Sequence, residues 1–355
     1  MSRALAAVVA ALMLAAPASA AKPLNLPALA RSLVKAGAPG AIVYVRTPTK
    51  TRSGAAGFAD IAAHVTMRAS DRYRIASVTK AFVSVLVLQL EAEGRLDIDD
   101  PVEKWLPGLV PNGGAITLRE LMNHTSGLFD YTEEPAFGDA LLTNPARSWA
   151  PRELLAFAFA HGPNFAPGTN WAYSNTNYIL LGLVVENVTG KPLGQSLQER
   201  IFAPLALTST SFPLVIELDP AFVHGYVNLG GSSLIDVAPL LGPSWGWAAG
   251  AIVSNARDVT TFYRALLTGK LMPAAQLAEM KQTTSVAGTY ALGISTSFTT
   301  CGRAWGHDGN FFGWRNEAIA TANGKREAVV MVNVDETFVP WDRLHAAAQA
   351  ALCRG

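Results

Sequence analysis

Residues 77–90 read Ser-Val-Thr-Lys-Ala-Phe-Val-Ser-Val-Leu-Val-Leu-Gln-Leu, with three polar side chains in the first four residues and a mainly apolar run after them. The run predicts a buried helix that begins near Ser77. Ser77 and Lys80 would then share one face at the amino-terminal end of the helix, where unpaired N–H groups and the helix dipole favour a developing negative charge. A hydroxyl beside an amine can become a nucleophile there. Ser32 and Lys35 have the same spacing in a plain amphipathic helix, so the spacing alone does not identify a site.

The amino terminus has the composition of an export signal. A basic start at residues 1–3 precedes an apolar run at residues 4–16 and the ending Pro17-Ala-Ser-Ala20. This pattern predicts a signal peptide over residues 1–20, cleaved after Ala20. A buried amino-terminal helix is the alternative. We therefore expect the mature chain, residues 21–355, to be secreted or periplasmic.

The composition excludes several classes of protein. Of 355 residues, 50% are hydrophobic and 15% are charged, which argues against disorder. The formal net charge is +1 and like charges do not cluster, so a nucleic-acid partner has no support. No later segment reaches about 18 consecutive apolar residues, so we expect no integral membrane segment after signal cleavage. We also expect a monomer.

The histidines give no sign of a metal site. His64, His161, His224 and His345 stand alone, without the paired spacing of metal-binding motifs. No phosphate-binding glycine loop is present either. We expect neither a metal nor a cofactor.

Cys301 and Cys353 are the only cysteines in the sequence. In an oxidising compartment two cysteines more often pair than stay free, so we predict a disulfide between them. Two unlinked buried thiols are the alternative.

Strand signals lie near both ends of the chain, and helix signals lie between them. Strands are predicted at residues 40–46, 51–59, 290–295, 313–320 and 328–333. Helices are predicted near residues 26–36, 77–91, 118–123, 151–160, 177–188, 256–267 and 341–352. This order predicts an α/β fold of the α+β type, with an antiparallel sheet built from the amino- and carboxy-terminal segments and flanked by helices. The α/β part would comprise residues 27–90 and 206–355, and a mainly helical domain, residues 91–205, would be inserted.

Two further motifs follow Ser77 along the chain. Tyr173-Ser-Asn175 lies in a polar loop before a helix, and His307-Asp-Gly309 lies in a strand interrupted by glycines. Each motif is weak evidence alone, and Tyr226-Val-Asn228 also matches the Tyr-x-Asn pattern. The order Ser-x-x-Lys, Tyr-x-Asn, His-x-Gly is more specific than any one of them.

With these motifs the chain resembles the serine penicillin-recognising enzymes. Within them it is similar to the branch that holds class C β-lactamases, secreted D-alanyl-D-alanine carboxypeptidases and related esterases and D-aminopeptidases. The likeness covers roughly residues 27–352 and is carried by segments 74–81, 121–128, 173–178, 249–254 and 306–309. It implies one serine hydrolase domain over residues 21–355.

The chemistry of the first two motifs can be argued from the residues. The hydroxyl of Ser77 needs a base, and Lys80 can serve if burial lowers its pKa. Tyr173 is the other candidate, and because the two groups would share one proton network, the choice between them stays open. Asn175 can hold Lys80 and donate to a substrate carbonyl, or it can simply cap the following helix.

The resemblance also implies roles for the third motif. It places the oxyanion hole at the backbone N–H groups of Ser77 and Asn310, with Gly309 allowing close approach of a substrate. His307 stands where many relatives carry lysine. Its imidazole is expected to orient the leaving group or the tyrosine hydroxyl.

Three residues are expected to shape the substrate site. Asp308 replaces the small residue that usually helps to hold a substrate carboxylate, and its charge would repel one. Arg303 is the nearest candidate counter-charge, and the alternative is that Asp308 points sideways off the strand. Trp245 and Trp247 would line the cleft, although core packing is as plausible for both.

The resemblance therefore implies a secreted acyl-hydrolase working through a covalent Ser77 acyl-enzyme. A D-alanyl-D-alanine carboxypeptidase acting on peptidoglycan stem peptides is the expected activity. An esterase, a β-lactamase or a D-aminopeptidase is the alternative, since Asp308 weakens the carboxypeptidase and β-lactamase interpretations. A non-catalytic penicillin-binding sensor is a third possibility, but it is disfavoured because the residues of the first two motifs are intact.

Overall fold

One antiparallel sheet organises the chain. The computed structural model describes residues 23–231 and 233–355, so the predicted signal peptide lies outside the described residues. The strands are β1 (Gly40–Arg46), β2 (Thr51–Asp60), β3 (Val65–Thr66), β4 (Tyr73–Arg74), β5 (Tyr226–Val227), β6 (Ile235–Asp236), β7 (Val253–Ser254), β8 (Ser295–Thr299), β9 (Gly302–Phe311), β10 (Trp314–Thr321) and β11 (Glu327–Val332). Seven of them form the sheet in the order β3-β2-β1-β11-β10-β9-β8, while β4 pairs with β7 and β5 with β6.

The centre of the sheet joins the two ends of the chain. Strands β1 and β11 are neighbours, with Val43 opposite Val330. Both strands are almost continuously apolar and buried, as expected for strands covered on two faces. The prediction of an antiparallel sheet built from amino- and carboxy-terminal segments is confirmed.

Helices cover both faces of this sheet. They are α1 (Leu26–Lys35), α2 (Thr79–Ala92), α3 (Val102–Trp105), α4 (Leu118–Met122), α5 (Pro135–Thr143), α6 (Pro151–Phe159), α7 (Asn175–Thr189), α8 (Leu193–Leu197), α9 (Trp247–Gly250), α10 (Ala256–Leu267), α11 (Ala274–Met280) and α12 (Trp341–Arg354). Helices α1 and α12 share a core with one face of β1 and β11, and α2 and α10 share the larger core on the opposite face.

Helix α2 lies in the middle of the larger core. Its side chains are buried nearly all round, which explains why the sequence after Ser77 is apolar without a polar stripe. Phe82 stacks on Phe262 of α10 with ring centroids 3.6 Å apart. The helix is therefore a fixed support for the residues at its amino-terminal end.

One predicted strand is wrong. Residues 290–295 form a turn, with only an isolated bridge between Tyr290 and Ser295, and β8 begins at Ser295. The turn is required because Gly293 has a φ of 78° and any side chain there would meet the Ser84 hydroxyl at 2.1 Å. Helix α7 also begins two residues earlier than predicted, at Asn175.

The predicted disulfide is present. Cys301, in the turn between β8 and β9, is bonded to Cys353 near the end of α12, with Cα atoms 5.4 Å apart. The bond ties the carboxy-terminal helix to an edge of the sheet. No helix among the described residues is long and apolar enough to cross a bilayer.

Candidate active site

Ser77 lies in a one-turn 3-10 helix, Ala76–Val78, that leads directly into α2. The preceding Ala76 is fully buried and has a φ of 53°, a left-handed conformation that costs energy for any residue with a side chain. Such strain is common at functional sites. Ile75 is held by a hydrogen bond from its N–H to the carbonyl of Ile252, 3.0 Å away. Ser77 lines a cavity of about 530 Å³.

Lys80 is completely buried beneath Ser77. Its Nζ donates to the Ser77 hydroxyl (3.0 Å), to Oδ1 of Asn175 (2.8 Å) and to the carbonyl of Ala249 (2.9 Å), which accounts for all three protons of an ammonium. Burial lowers the pKa of Lys80 to about 7, although the carboxylates of Asp130 and Asp308 act in the opposite direction. Near neutrality a large fraction of the amine is therefore free to accept a proton.

Asn175 connects Lys80 to a carboxylate. Its Oδ1 faces Lys80, so its Nδ2 points the other way and donates to Asp130 (2.9 Å) and, more weakly, to Thr132 (3.4 Å). Asp130 also accepts from the backbone N–H of Asn175 (3.0 Å). The structure thus places Asn175 as the holder of Lys80. Ser174, not Asn175, is the residue before the first turn of α7.

Tyr173 lies beside both of these groups. Nζ of Lys80 is 4.8 Å from the centre of its ring. Burial raises the pKa of Tyr173 well above its usual value, and a hydrogen bond to Ser77 opposes this only in part. The phenol is therefore neutral near pH 7 and suited to donating a proton, whereas Lys80 is suited to accepting one.

His124 fixes the loop that carries Tyr173. Its carbonyl accepts from the N–H of Ala172 (3.2 Å) and its Nδ1 accepts from the N–H of Ser174 (3.1 Å), so both neighbours of Tyr173 are held. The two rings lie 4.3 Å apart. Burial, followed by the charge of Lys80, holds the pKa of His124 well below its usual value. A neutral histidine is what this acceptor role requires.

His307 points into the protein beside this cluster. Its Nε2 lies 2.8 Å from the hydroxyl of Tyr290, and its Nδ1 lies 2.5 Å from the carbonyl of Asp308. Tyr173 approaches only through its ring, with centroids 6.4 Å apart. The predicted contact between the imidazole and the tyrosine hydroxyl of the second motif is therefore not seen, because both ring nitrogens are engaged elsewhere.

Asn310 and Ser77 line the same cavity. Successive residues of a strand present their backbone groups to alternate edges, and Ala304 and Gly306 face β8. Asn310 has the same parity, and β8 pairs no further than Gly306 among the described residues, so the N–H of Asn310 faces an unpaired edge. Gly309 packs tightly here, since a Cβ would come within 2.3 Å of the carbonyl of Ile75.

Asp308 does not lie where the sequence interpretation put it. It is not among the described residues that line the cavity, and it lies opposite Glu317, on the α12 side of the sheet. Arg303 is five residues away along β9 and stacks on Phe298, so it offers no counter-charge. The Asp308 carboxylate raises the pKa of Lys80 from a distance, and its Oδ1 lies 3.4 Å from Nδ1 of His307.

The wall of the cavity is mainly apolar. Trp245 lines it, stacked on Phe311 with centroids 4.2 Å apart, and further aromatic and aliphatic side chains come from α5 and from Phe312. None of the described lining residues is a lysine or an arginine. The prediction for Trp247 is wrong, because its ring packs in the core within reach of Gly182 of α7.

Three functional candidates escaped the sequence interpretation. Each of them contacts a residue of the second or third motif but lies outside that motif in the chain. They are Asp130, which contacts Asn175, His124, which contacts Tyr173, and Tyr290, which contacts His307. For Asp130 and His124 a signal existed, since both belong to or adjoin the segment 121–128 that carried the family likeness. Tyr290 lay in a segment misread as a strand.

Comparisons with known proteins identify the family of the chain. Residues 26–352 match the family model described as Beta-lactamase. The chain belongs to this family. It is 30% identical over 262 residues to the putative penicillin-binding protein PbpX of Bacillus subtilis, and 34% identical over 157 residues to a putative D-alanyl-D-alanine carboxypeptidase of Escherichia coli. These matches cover 74% and 42% of the chain but only 63% and 36% of the relatives.

Solved structures match over a larger share of both chains. A D-stereospecific amidohydrolase from a Streptomyces species is 38% identical, with a TM-score of 0.83 over 91% of this chain and 97% of that chain. A D-amino acid amidase from Ochrobactrum anthropi SV3 is 26% identical, with a TM-score of 0.81 over 92% and 96%. Members of this family are serine hydrolases, and the relatives of this chain include a penicillin-binding protein, a carboxypeptidase and an amidase.

Proposed function

We propose that this family member is a serine amidohydrolase that cleaves amides or peptides of D-amino acids with an apolar side chain, through a covalent Ser77 acyl-enzyme. The observation that carries the proposal is the wall of the cavity. It is apolar, it includes the carboxylate of Asp130, and its described residues include no lysine or arginine. A protonated substrate amine would be attracted to the Asp130 carboxylate, whereas a substrate carboxylate would find no counter-charge among the described lining residues.

The resemblance in chain and structure supports the same assignment. Among the solved structures compared, the D-stereospecific amidohydrolase combines 38% identity with near-complete coverage of both chains. The D-amino acid amidase shares the fold over nearly the same length. Both of these proteins are named for amide hydrolysis on D-amino acids, which is the chemistry proposed for this site.

In the proposed mechanism Lys80 is the base. Neutral Nζ takes the proton of Ser77 as Oγ attacks the carbonyl carbon, and the N–H groups of Ser77 and Asn310 stabilise the oxyanion. The C–N bond then breaks, and the leaving nitrogen receives a proton from the neutral hydroxyl of Tyr173, which is re-protonated by Lys80. Water attacks the resulting ester with Lys80 again as base. The bond between the carbonyl carbon and Oγ then breaks, Lys80 returns the proton to Oγ, and the D-amino acid leaves.

A substrate panel tests the proposal. We expect kcat/KM to be highest for D-phenylalanine amide, at least about tenfold lower for L-phenylalanine amide and for an acetylated D-alanyl-D-alanine peptide, and zero for all of them with Ser77→Ala. A higher kcat/KM for the D-alanyl-D-alanine peptide than for D-phenylalanine amide would overturn the assignment. Equal turnover by Ser77→Ala would overturn the nucleophile.

A D-alanyl-D-alanine carboxypeptidase is the second candidate. It is favoured by the name of the Escherichia coli relative, which matches 42% of this chain. The same panel decides between the two, and adding a chromogenic β-lactam and a chromogenic ester to it tests the remaining activities of the family. A penicillin adduct in the intact mass without turnover of any substrate would indicate a sensor.

We further propose that the chain is exported. The pattern of residues 1–20 supports this, as does the disulfide between Cys301 and Cys353, since such bonds persist in oxidising compartments. Amino-terminal sequencing of protein recovered from outside the cytoplasm should begin at Ala21. An intact Met1 on the mature protein would contradict export.

A further inference from the structure

Tyr290 is a buried residue that the mechanism above does not use. It lies in the turn before β8, and its hydroxyl is 2.8 Å from Nε2 of His307. His307 is 2% exposed and Tyr290 is 7% exposed, so this hydrogen bond is shielded from solvent. Neither ring is among the described residues that line the cavity at Ser77.

The direction of this hydrogen bond follows from the other nitrogen of the ring. Nδ1 of His307 faces the carbonyl oxygen of Asp308 at 2.5 Å, and a carbonyl can only accept. The Asp308 carboxylate, whose Oδ1 lies 3.4 Å from Nδ1, is also an acceptor. The geometry therefore assigns the tautomer with the proton on Nδ1, in which Nε2 is left as an acceptor. The hydroxyl of Tyr290 donates to it, and burial raises the pKa of Tyr290 well above its usual value, which keeps that proton in place.

The carbonyl at the end of this chain of bonds lies on a functional edge. Asp308 and Asn310 have the same parity in β9, so their backbone groups face the same side. On that side β8 pairs with β9 only as far as Gly306 among the described residues. The Nδ1–H group of the His307 ring thus donates to the carbonyl of Asp308, which no described strand pairs. This carbonyl lies two residues before Asn310, whose N–H is assigned to the oxyanion hole.

We infer that Tyr290 is a positioning residue for the oxyanion hole, acting through His307 on the peptide that follows Asp308. The inference rests on the proposed Ser77 chemistry. Without the Tyr290 hydroxyl the imidazole is free to turn or change tautomer, and the Asp308 carbonyl loses its donor. The edge that presents the N–H of Asn310 then relaxes, although every group that contacts the substrate is still present.

Tyr290→Phe tests this with the ring retained. We expect kcat on D-phenylalanine amide to fall by about 10- to 100-fold, below the effect of deleting an oxyanion donor outright, with KM within about twofold. The affinity for phenylboronic acid, whose adduct on Ser77 mimics the tetrahedral intermediate, should fall by a similar factor. The affinity for the product D-phenylalanine should not change. Equal losses for both ligands would indicate general loosening of the site and would overturn the inference.

Tyr263→Phe is the matched control. Tyr263 is a fully buried tyrosine of α10 whose hydroxyl bonds to no described residue. Removing that oxygen should leave kcat and boronate affinity within about twofold. An unchanged kcat for Tyr290→Phe would overturn the inference directly.

A double-mutant cycle tests the route through His307. With His307→Leu already in place, Tyr290→Phe should have little further effect on kcat. Additive losses would show that Tyr290 acts by another route. If the wild type cleaves none of the amides, the proposed function fails but the two hydrogen bonds of the His307 ring can still be tested by ¹⁵N NMR. A protonated Nδ1 and an unprotonated Nε2 would support the inference. The reverse would overturn it.

Discussion

Nζ of Lys80 lies 3.0 Å from the hydroxyl oxygen of Ser77 in a part of the core from which solvent is excluded. An amine in water keeps its proton at neutral pH and cannot act as a base. Here burial lowers the pKa of Lys80 to about 7, because the charged form is poorly solvated. The same apolar sequence that folds as α2 therefore supplies both the position and the basicity that Ser77 requires.

Lys80→Ala should remove the base and lower kcat/KM by about 10²–10⁴-fold, the range expected for general-base catalysis. Lys35→Ala is the matched control, since Ser32 and Lys35 have the same spacing but lie in α1, where the Ser32 hydroxyl donates to its own helix at Leu29. Lys35→Ala should leave the rate within about twofold. A comparable loss in both variants would contradict the assignment.

The rate should depend on pH through Lys80. Because the neutral amine is the active form and its pKa is lowered to about 7, kcat/KM should rise as the pH increases from 6 to 8 and then level off. The reverse trend, a fall over this range, would contradict a lysine base. A His307→Gln variant that keeps turnover should keep this rise, whereas its loss would assign the titration to the imidazole.

Asp130→Asn should move that profile. The carboxylate of Asp130 raises the pKa of Lys80, so its removal should shift the rise in kcat/KM to lower pH. It also exchanges one carboxylate oxygen for an NH2 group, so either the N–H groups of Asn175 or the donors of Thr132 lose their acceptor. We expect kcat to fall by roughly 10- to 100-fold, as for a lost bond to a charged group. Asp139→Asn, an exposed change on α5, should do neither. A shift towards higher pH would contradict the electrostatic argument.

The disulfide should contribute to stability more than to catalysis. It joins Cys301 and Cys353 across 52 residues, for which loop-closure entropy gives about 4 kcal/mol as an upper range. Cys301→Ser should lower the free energy of unfolding by several kcal/mol in urea titrations and leave kcat of the folded protein within about twofold. An unchanged midpoint without the bond would contradict this.

Local sequence was sufficient wherever one element carries its own signal. The apolar run after Ser77 lies within α2, the helix that it predicts. The helix predicted at residues 256–267 begins directly after Asn255, whose side chain accepts from the N–H of Asp258 at 2.9 Å. The same holds for the ordered motifs of the family. These signals need no knowledge of what packs against them.

The rest depends on contacts between distant segments. Residues 290–295 resemble a strand, but Gly293 has to turn because the hydroxyl of Ser84 occupies the space beside it. Asp308 is expected in the substrate site because the residue at this position in the family usually helps to hold a substrate carboxylate. Strand alternation instead sends the side chains of His307 and Asp308 to opposite faces. Trp247 failed for a similar reason, since only the position of Gly182 shows that its ring belongs to the core.

Gly309 offers a direct test of how tightly the oxyanion edge is held against Ser77. A Cβ at this position would lie 2.3 Å from the carbonyl oxygen of Ile75 and 2.6 Å from Nδ2 of Asn316, which itself donates to that carbonyl. Both contacts are shorter than van der Waals distance, so β9 has to move away from the segment that carries Ser77.

Gly309→Ala should therefore lower kcat by at least about tenfold, towards the loss expected for a missing oxyanion donor, and weaken phenylboronic acid binding in parallel. Gly114→Ala is the control, because a Cβ there meets nothing within 4 Å. Activity measured well below the unfolding midpoint separates misplacement from instability. Wild-type kcat in Gly309→Ala would show that the edge yields without cost, and the oxyanion assignment to Asn310 would then have to be withdrawn.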